Sequence, residues 1–219
     1  MNWLEYYRQK YYPLLTITNI PPGYGYQFAE GGPSLGPGIY NRFLGFDIMW
    51  RLLLNQQAGS FSIIETGTLR EGNSWTDGQS AFLFTEFVKH HGGQVRSVDI
   101  DPAACDVARN FINSNQFSVT CSDSVTWLAQ QKDLAEVDLF YLDSYDVDWN
   151  NDTASAEHHL KEFLTIEPFV TPGTVVVIDD NSRWVNTNQR TGKGRRVVEY
   201  LEQKSIYPIY DEYQIIFQF

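Results

Sequence analysis

The chain has 219 residues, 42% hydrophobic and 15% aromatic, with 16 Lys and Arg against 27 Asp and Glu, a formal charge of −11. That is enough apolar material for one sizeable core, and the aromatic content argues against disorder. A surface this acidic repels phosphate backbones and no apolar run reaches membrane-spanning length, so neither a nucleic-acid nor a membrane partner is expected. The N-terminal MNWLEYYRQK does not read as a signal peptide, and Cys105 and Cys121 alone make no disulfide framework. A cytoplasmic location is the expectation.

Trp3 to Tyr12 is an aromatic stretch with helical spacing. The following IPPGYGYQFAEGGPSLGPG is too dense in Pro and Gly for regular structure, and Tyr40 to Gln56 reads as an amphipathic helix. Residues 1–60 are expected to form a cap segment, not an independent domain, in front of a main domain over residues 61–219. In that domain strands are predicted at Phe61–Glu65, Val95–Asp99, Phe117–Thr120, Asp138–Leu142 and Thr174–Ile178. Helices are predicted at Gln79–His90, Pro102–Ser114, Ser124–Gln131, Ser155–Phe169 and Gly194–Gln203. Such alternation, with short apolar strands such as TVVVI, implies a parallel sheet covered on both faces. SIYPIY and QIIFQF are separated by only three residues, which a hairpin spans and a crossover helix does not, so the last strand should run antiparallel.

Ligands of open α/β sheets sit beyond the carboxyl ends of the strands. In order, those ends carry Glu65-Thr66-Gly67-Thr68, Asp99-Ile100, Ser122-Asp123-Ser124, Asp143-Ser144-Tyr145-Asp146 and Asp179-Asp180-Asn181. Gly67 permits close approach to the backbone. An acid ending the second strand can accept two hydrogen bonds from ribose hydroxyls. A hydroxyl or carboxylate after the third can reach an adenine amino group. The phosphate-binding motifs GxGxxG and GxxxxGK[ST] are missing, and Glu65 would repel a pyrophosphate. The pattern describes a site for a nucleoside with a cationic end, such as S-adenosylmethionine.

With ETGT…GQSA, SVDIDP, CSDS, FYLDSYD and VVIDDN in this order, the sequence resembles the class I S-adenosylmethionine-dependent methyltransferases. It looks most like the metal-assisted O-methyltransferases of the catechol and macrocin groups. The resemblance covers roughly Phe61 to Phe219 and implies an α/β, Rossmann-like fold: a seven-stranded, mostly parallel sheet with an antiparallel last strand, helices on both faces and an N-terminal helical cap. It implies that Glu65, Thr66, Gly67, Thr68 and Ser80 line the methionine end of the cofactor. Asp99 and Ile100 would serve the ribose, and Ser122, Asp123 and Ser124 the adenine edge, with Asp143 also facing the cofactor. Asp143, Asp179 and Asp180 would hold a divalent metal, Mg²⁺ or else Mn²⁺ or Ca²⁺. The sequence departs from the catechol enzymes twice: about nine extra residues precede Gly78-Gln79-Ser80, and no lysine follows Asp143.

The extra loop, with Arg70, Asn73, Trp75 and Asp77, would fold over the cofactor, or else Trp75 packs on the cap. Asp143 and Asp179–Asp180 end neighbouring predicted strands, about 4.8 Å apart, so their carboxylates can converge and repel unless a cation lies between them. Repulsion in the metal-free trio predicts that Asp180→Asn leaves stability unchanged or raises it. Asp143, Asp146 and His159 are the candidate catalytic residues, although a His flanking a buried helix face is usually structural. RTGKGRR, Arg190 to Arg196, reads either as a solvated loop and helix start or as a clamp for an anionic acceptor. The expected activity is methyl transfer to a hydroxyl of a small molecule or sugar, and a homo-oligomer is possible. The rivals are a metal-independent or N-directed methyltransferase and a non-catalytic nucleoside-binding protein.

Overall fold

The computed structural model describes residues 2–17, 33–34, 40–75, 79–184 and 187–219. In chain order the elements are α1 (Trp3–Leu15), β1 (Thr16–Ile17), β2 (Pro33–Ser34), β3 (Tyr40–Asn41), α2 (Arg42–Asn55), β4 (Phe61–Thr66), α3 (Ser80–His91) and β5 (Gly93–Asp99). There follow α4 (Pro102–Ile112), β6 (Phe117–Cys121), α5 (Ser124–Leu128), β7 (Leu139–Leu142), α6 (Thr153–Ile166), β8 (Val175–Ile178), β9 (Asn181–Trp184), β10 (Arg190–Gly192), α7 (Arg195–Glu202), β11 (Tyr210–Asp211) and β12 (Ile215–Gln218).

Seven strands form the main sheet in the order β11-β12-β8-β7-β4-β5-β6. β4 to β8 run parallel, and β12 lies antiparallel between β8 and β11. The antiparallel ending follows from chain length, because Glu212 to Gln214 is too short to cross the sheet. From β4 the chain winds outward through β5 and β6, then returns to β7 on the other side of β4. That reversal puts the switch point between β4 and β7, where open α/β sheets bind ligands.

Side-chain alternation along the strands divides the core into two layers. Ile63, Val95, Leu139, Tyr141, Val175, Val177 and Ile216 face α1, α2 and α3, where Trp3, Tyr7, Phe46, Trp50, Phe84 and Phe87 pack ring against ring. Ile64, Val98, Phe140, Leu142, Val176, Ile178 and Phe217 face α5, α6 and α7. The first two helices are therefore part of the core of the sheet. α4 begins on Pro102, and Asp101 accepts the Ala103 N–H at 2.9 Å, the ordinary chemistry of a helix start.

The structure departs from expectation in several places: the helix expected over Ser124–Gln131 ends at Leu128, and Tyr40–Asn41, expected to open the second helix, form β3. The helix predicted to Phe169 ends at Ile166 and continues as a 3₁₀ turn, Glu167–Phe169, because Pro168 lacks the N–H that an α-helix needs. Polar NSRW and RTG form a β9–β10 hairpin, which joins β2 in a small second sheet. β2 itself lies within the Pro/Gly-rich stretch expected to be irregular; most of that stretch, with Asp77 and Gly78, lies outside the described residues. Among the described residues no helix is long and apolar enough to cross a membrane.

Candidate functional site

The backbone leaves β4 through Gly67 at φ +82°, and the Gly67 N–H donates to Val98 O at 2.8 Å. A Cβ here would lie 2.6 Å from the Asp143 carbonyl oxygen, so only glycine lets this loop pass over the end of β7. Below it opens a cavity of about 320 Å³, within the ~300–1,000 Å³ range of small-molecule sites. Of the sequence candidates, Gly67, Thr68, Ser80, Asp99, Asp143, Asp146 and Asp180 line it.

One end of the cavity carries nucleoside chemistry. Asp99 accepts the backbone N–H groups of Thr68 at 3.0 Å and Asp101 at 2.8 Å, which fixes its carboxylate at the end of β5. Burial raises its pKa against those bonds. Glu65 is fully buried beneath the loop; Ser97 donates to one oxygen at 2.6 Å, and the other, Oε1, has no hydrogen-bond partner. Burial pushes this carboxyl up to about 7. Thr68 Oγ1 is likewise buried and unpartnered. Glu65, on β4, lies outside the cavity lining and Thr68, on the loop, within it; two unsatisfied oxygens so close in the chain fit the amino group of a methionine moiety, since unpaired buried polar atoms are costly. Ile100 is exposed, and Ser122 donates its N–H to Asp99 O at 2.9 Å. Asp123 is occupied as the N-cap of α5, accepting the Thr126 N–H at 2.8 Å, and that bond holds its pKa down. These two and Ser124 lie outside the cavity lining, as do Glu65, Thr66, Ile100 and Asp179.

The other end is a charge array. The Lys193 side chain is only 1% exposed, and its Nζ donates to Asp143 Oδ1 at 2.5 Å, Asp180 Oδ2 at 2.8 Å and Asp143 O at 3.3 Å. Arg42 lies 3.2 Å from Asp179 and 3.4 Å from Asp180, and Tyr213 donates its hydroxyl to Asp180. Burial opposes the charge on Asp180, but Lys193 and Arg42 outweigh it and hold its pKa below the usual carboxylate range. The three acids predicted as metal ligands thus sit together, but with two cations of the chain between them. Among the described residues, no group of three or more His, Cys, Asp or Glu side chains is arranged to hold an ion. Mg²⁺ needs several oxygens at about 2.0–2.1 Å, and the Lys193 ammonium stands where such oxygens would have to meet. As arranged, the trio does not fit a divalent ion.

Lysine 193 was not a sequence candidate, although TGKG carried a signal. Gly192 has φ +108°, and a Cβ there would lie 2.3 Å from Asp180 O; one on Gly194 would lie 2.7 Å from Asn181 Oδ1. A lysine between two glycines that both need close approach is held against the rest of the chain, backbone at Gly192 and the Asn181 and Ile215 side chains at Gly194. The rest of RTGKGRR is also paired within the chain: Arg190 with Asp211, Arg195 with Asp152 at 2.7 Å and Arg196 with Glu199 at 2.9 Å. The cluster is neither a solvated run nor a set of free cations.

His159 does not reach the cavity, which corrects its expected role as a base. It is fully buried in α6, bonded through Nδ1 to Ser155 O at 2.7 Å, and burial lowers its pKa to about 4. Its neighbour His158 instead meets Ser124 Oγ at 2.9 Å. A residue passed over in the sequence, Glu162, ties these elements together. It accepts hydroxyls from Thr66 at 3.1 Å and Ser144 at 2.7 Å and lies 3.3 Å from His158. Burial opposes its charge, and these partners prevail, lowering its pKa to about 2. Of the inserted loop, Arg70 bridges to Asp146 at 2.9 Å across the cavity rim, whereas Trp75 packs on Tyr11 of α1.

Residues 75–181, just under half of the chain, match a family model described as a methyltransferase domain. The chain is similar in fold to the MycE methyltransferase from the mycinamycin biosynthetic pathway in complex with Mg and SAH, with TM-score 0.50, 12% identity and coverage of 98% of this chain and 52% of that one. It is equally similar to the [4+2]-cyclase SpnF, with TM-score 0.50, 14% identity and coverage of 91% of this chain and 70% of that one. A MycE complex with Mg, SAH and mycinamycin VI gives TM-score 0.45, 16% identity, 81% of this chain and 38% of that one. The chain therefore spans less than two thirds of the MycE chains. No curated protein matches its sequence.

Proposed function

We propose that the chain is an S-adenosylmethionine-dependent methyltransferase, which transfers the methyl group to a hydroxyl oxygen of a small-molecule or sugar acceptor. The observation that carries this reading is one cavity at the switch point, with Gly67, Thr68 and Asp99 at one end and the Asp143–Lys193–Asp180 array at the other. Bound there, the cofactor supplies a sulfonium methyl group open to in-line displacement. The residues of the chain do the rest. Glu65 Oε1 and Thr68 Oγ1 would accept from the ammonium, and Asp99 from the ribose hydroxyls. The Arg70–Asp146 bridge spans the rim of the cavity.

A hydroxyl must shed a proton as it attacks, and the array, with three carboxylates against the two cations Lys193 and Arg42, suits release of that proton on this side of the cavity. Asp146, on the rim, would take the proton after leaving Arg70, which now donates to both of its oxygens. The metal-assisted form of the reaction would require Lys193 to be displaced first, so the metal-free form is the one proposed.

Calorimetry with S-adenosylhomocysteine tests this reading. Binding is expected in the micromolar range, roughly −8 kcal/mol. Asp99→Ala should weaken it by about 2–4 kcal/mol through two lost hydrogen bonds to a charged acceptor. A folded variant that binds as tightly as the wild type would overturn the site. A cyclase shares this fold, so binding without transfer to any of a panel of hydroxylated acceptors would favour a non-transferring reading.

A further inference from the structure

We infer that Lys193 is a built-in cation that takes the place of a divalent metal at the carboxylate junction, so that the site excludes Mg²⁺ and Mn²⁺ and one substitution would admit them. The inference concerns the same cavity as the proposed reaction but rests on the charge array, not on methyl transfer.

Three observations carry it. First, the ammonium has used all its donors: two go to carboxylates of different strands and the third to a backbone carbonyl. Together with Arg42 it sets two positive charges against the three negative charges of Asp143, Asp179 and Asp180. Second, the position is constructed. Gly192 and Gly194 leave no room for a Cβ. Asn181 Oδ1 accepts the Gly194 N–H at 2.6 Å, and Asp152 accepts the Gly192 N–H at 2.8 Å and the Thr191 hydroxyl at 3.0 Å. The Lys193 N–H itself donates to Asp180 O at 3.2 Å. A solvated surface lysine needs none of this scaffold. Third, a lysine buried to this degree is tolerated only when paired, and its partners are the acids that would otherwise ligate an ion. A dication and the ammonium cannot share the junction: both need the same oxygens, and together with Arg42 they would leave one excess positive charge in a buried space.

Removal of the ammonium leaves Asp143 and Asp180 facing a cavity about one lysine head group in size, with acids of the kind that bind Mg²⁺ and Mn²⁺. The test is a pair of measurements on the full chain with Mn²⁺ as the probe. Wild type is melted in EDTA and in millimolar Mn²⁺ at matched ionic strength, and Mn²⁺ binding is followed by calorimetry and by loss of the free-ion resonance signal. The same is done for Lys193→Ala and for Lys193→Met, which refills the space with an uncharged chain. Wild type should show no stoichiometric binding and no ion-dependent rise in melting temperature. Lys193→Ala should melt lower in EDTA, bind one Mn²⁺ per chain at least tenfold more tightly than wild type, and regain melting temperature with the ion. Lys193→Met should lose stability without gaining the ion.

Stoichiometric, stabilising binding of Mn²⁺ to the wild type would overturn the inference, and so would a folded Lys193→Ala that stays indifferent to it. If both variants fail to fold, the wild-type titration still decides. A failure of the proposed reaction would appear separately, as lost S-adenosylhomocysteine binding or no transfer, with the metal titrations unchanged.

Discussion

Lys193 Nζ lies 2.5 Å from Asp143 Oδ1 and 2.8 Å from Asp180 Oδ2, so a single ammonium joins the carboxyl ends of two neighbouring parallel strands. The repulsion expected among these acids is thereby turned into attraction. The first consequence concerns Asp180→Asn. A bare trio would tolerate or welcome the loss of one charge. Here the change removes a partner from Lys193, Arg42 and Tyr213 at once. The variant should lose about 3 kcal/mol in denaturant melts run in EDTA, as expected for breaking a buried pair. Unchanged or raised stability would show that the array is not what holds these loops.

Gly67→Ala should affect both folding and binding. The residue holds φ +82°, and the added Cβ would press on the Asp143 backbone 2.6 Å away. Strain of this kind costs about 1–3 kcal/mol. The loop would have to lift off β7, so S-adenosylhomocysteine affinity should fall at least tenfold. Calorimetry and a melt on the same preparation separate the two effects.

The raised pKa of Glu65, about 7 in the folded chain, has a definite pH signature. Between its ordinary value and 7 the folded state holds a proton that the unfolded state has lost. Its contribution to stability is therefore largest below ordinary carboxylate pH and is lost as pH rises through 7, a change of about 3 kcal/mol. Glu65→Gln should remove that slope and be more stable than wild type above pH 7. Binding should run the other way, because an ammonium needs the charged carboxylate. Wild-type S-adenosylhomocysteine affinity should weaken by up to tenfold per unit below pH 7, and that of the Gln variant should not. Parallel pH profiles in the two proteins would remove Glu65 from the cofactor site.

Glu162 has the opposite sign, with a folded pKa lowered to about 2. Its contribution is present above ordinary carboxylate pH and is lost as pH falls toward 2. Glu162→Gln should cost about 3 kcal/mol near neutrality, and the gap from wild type should close in acid. It should also lower the transfer rate through the end of β4, since Thr66 and Ser144 lose their shared acceptor. Urea melts at several pH values check the first effect, and the split between kcat and KM the second.

The fold was legible because its signals are local and repeated. VVVI and LFYL are apolar runs of strand length, Pro102 and Gly92–Gly93 mark element ends, and three residues between the last two strands admit only a hairpin. Strand ends could be read as site positions because a parallel sheet brings all its carboxyl ends to one edge, which put Gly67, Asp99, Asp143 and Asp180 around one cavity without knowledge of any contact. The β9–β10 hairpin was not legible, since neither NSRW nor RTG alternates in hydrophobicity.

Charge pairing was the other thing hidden. Nothing near Asp143 in the chain announces a lysine, because its partner lies 50 residues away. RTGKGRR looks the same on paper whether its cations face water or acids. His159 and Glu162 lie three residues apart on one helix, yet which of them serves the strand ends depends on how that helix turns against the sheet. Periodicity and chain length determine which elements form and where their ends point, because those depend on neighbours in sequence. Whether three converging acids attract a metal ion or are neutralised from within depends on which distant side chain reaches them first, and only the packed chain, which seats Lys193 against the ends of β7 and β8 between two glycines, decides that.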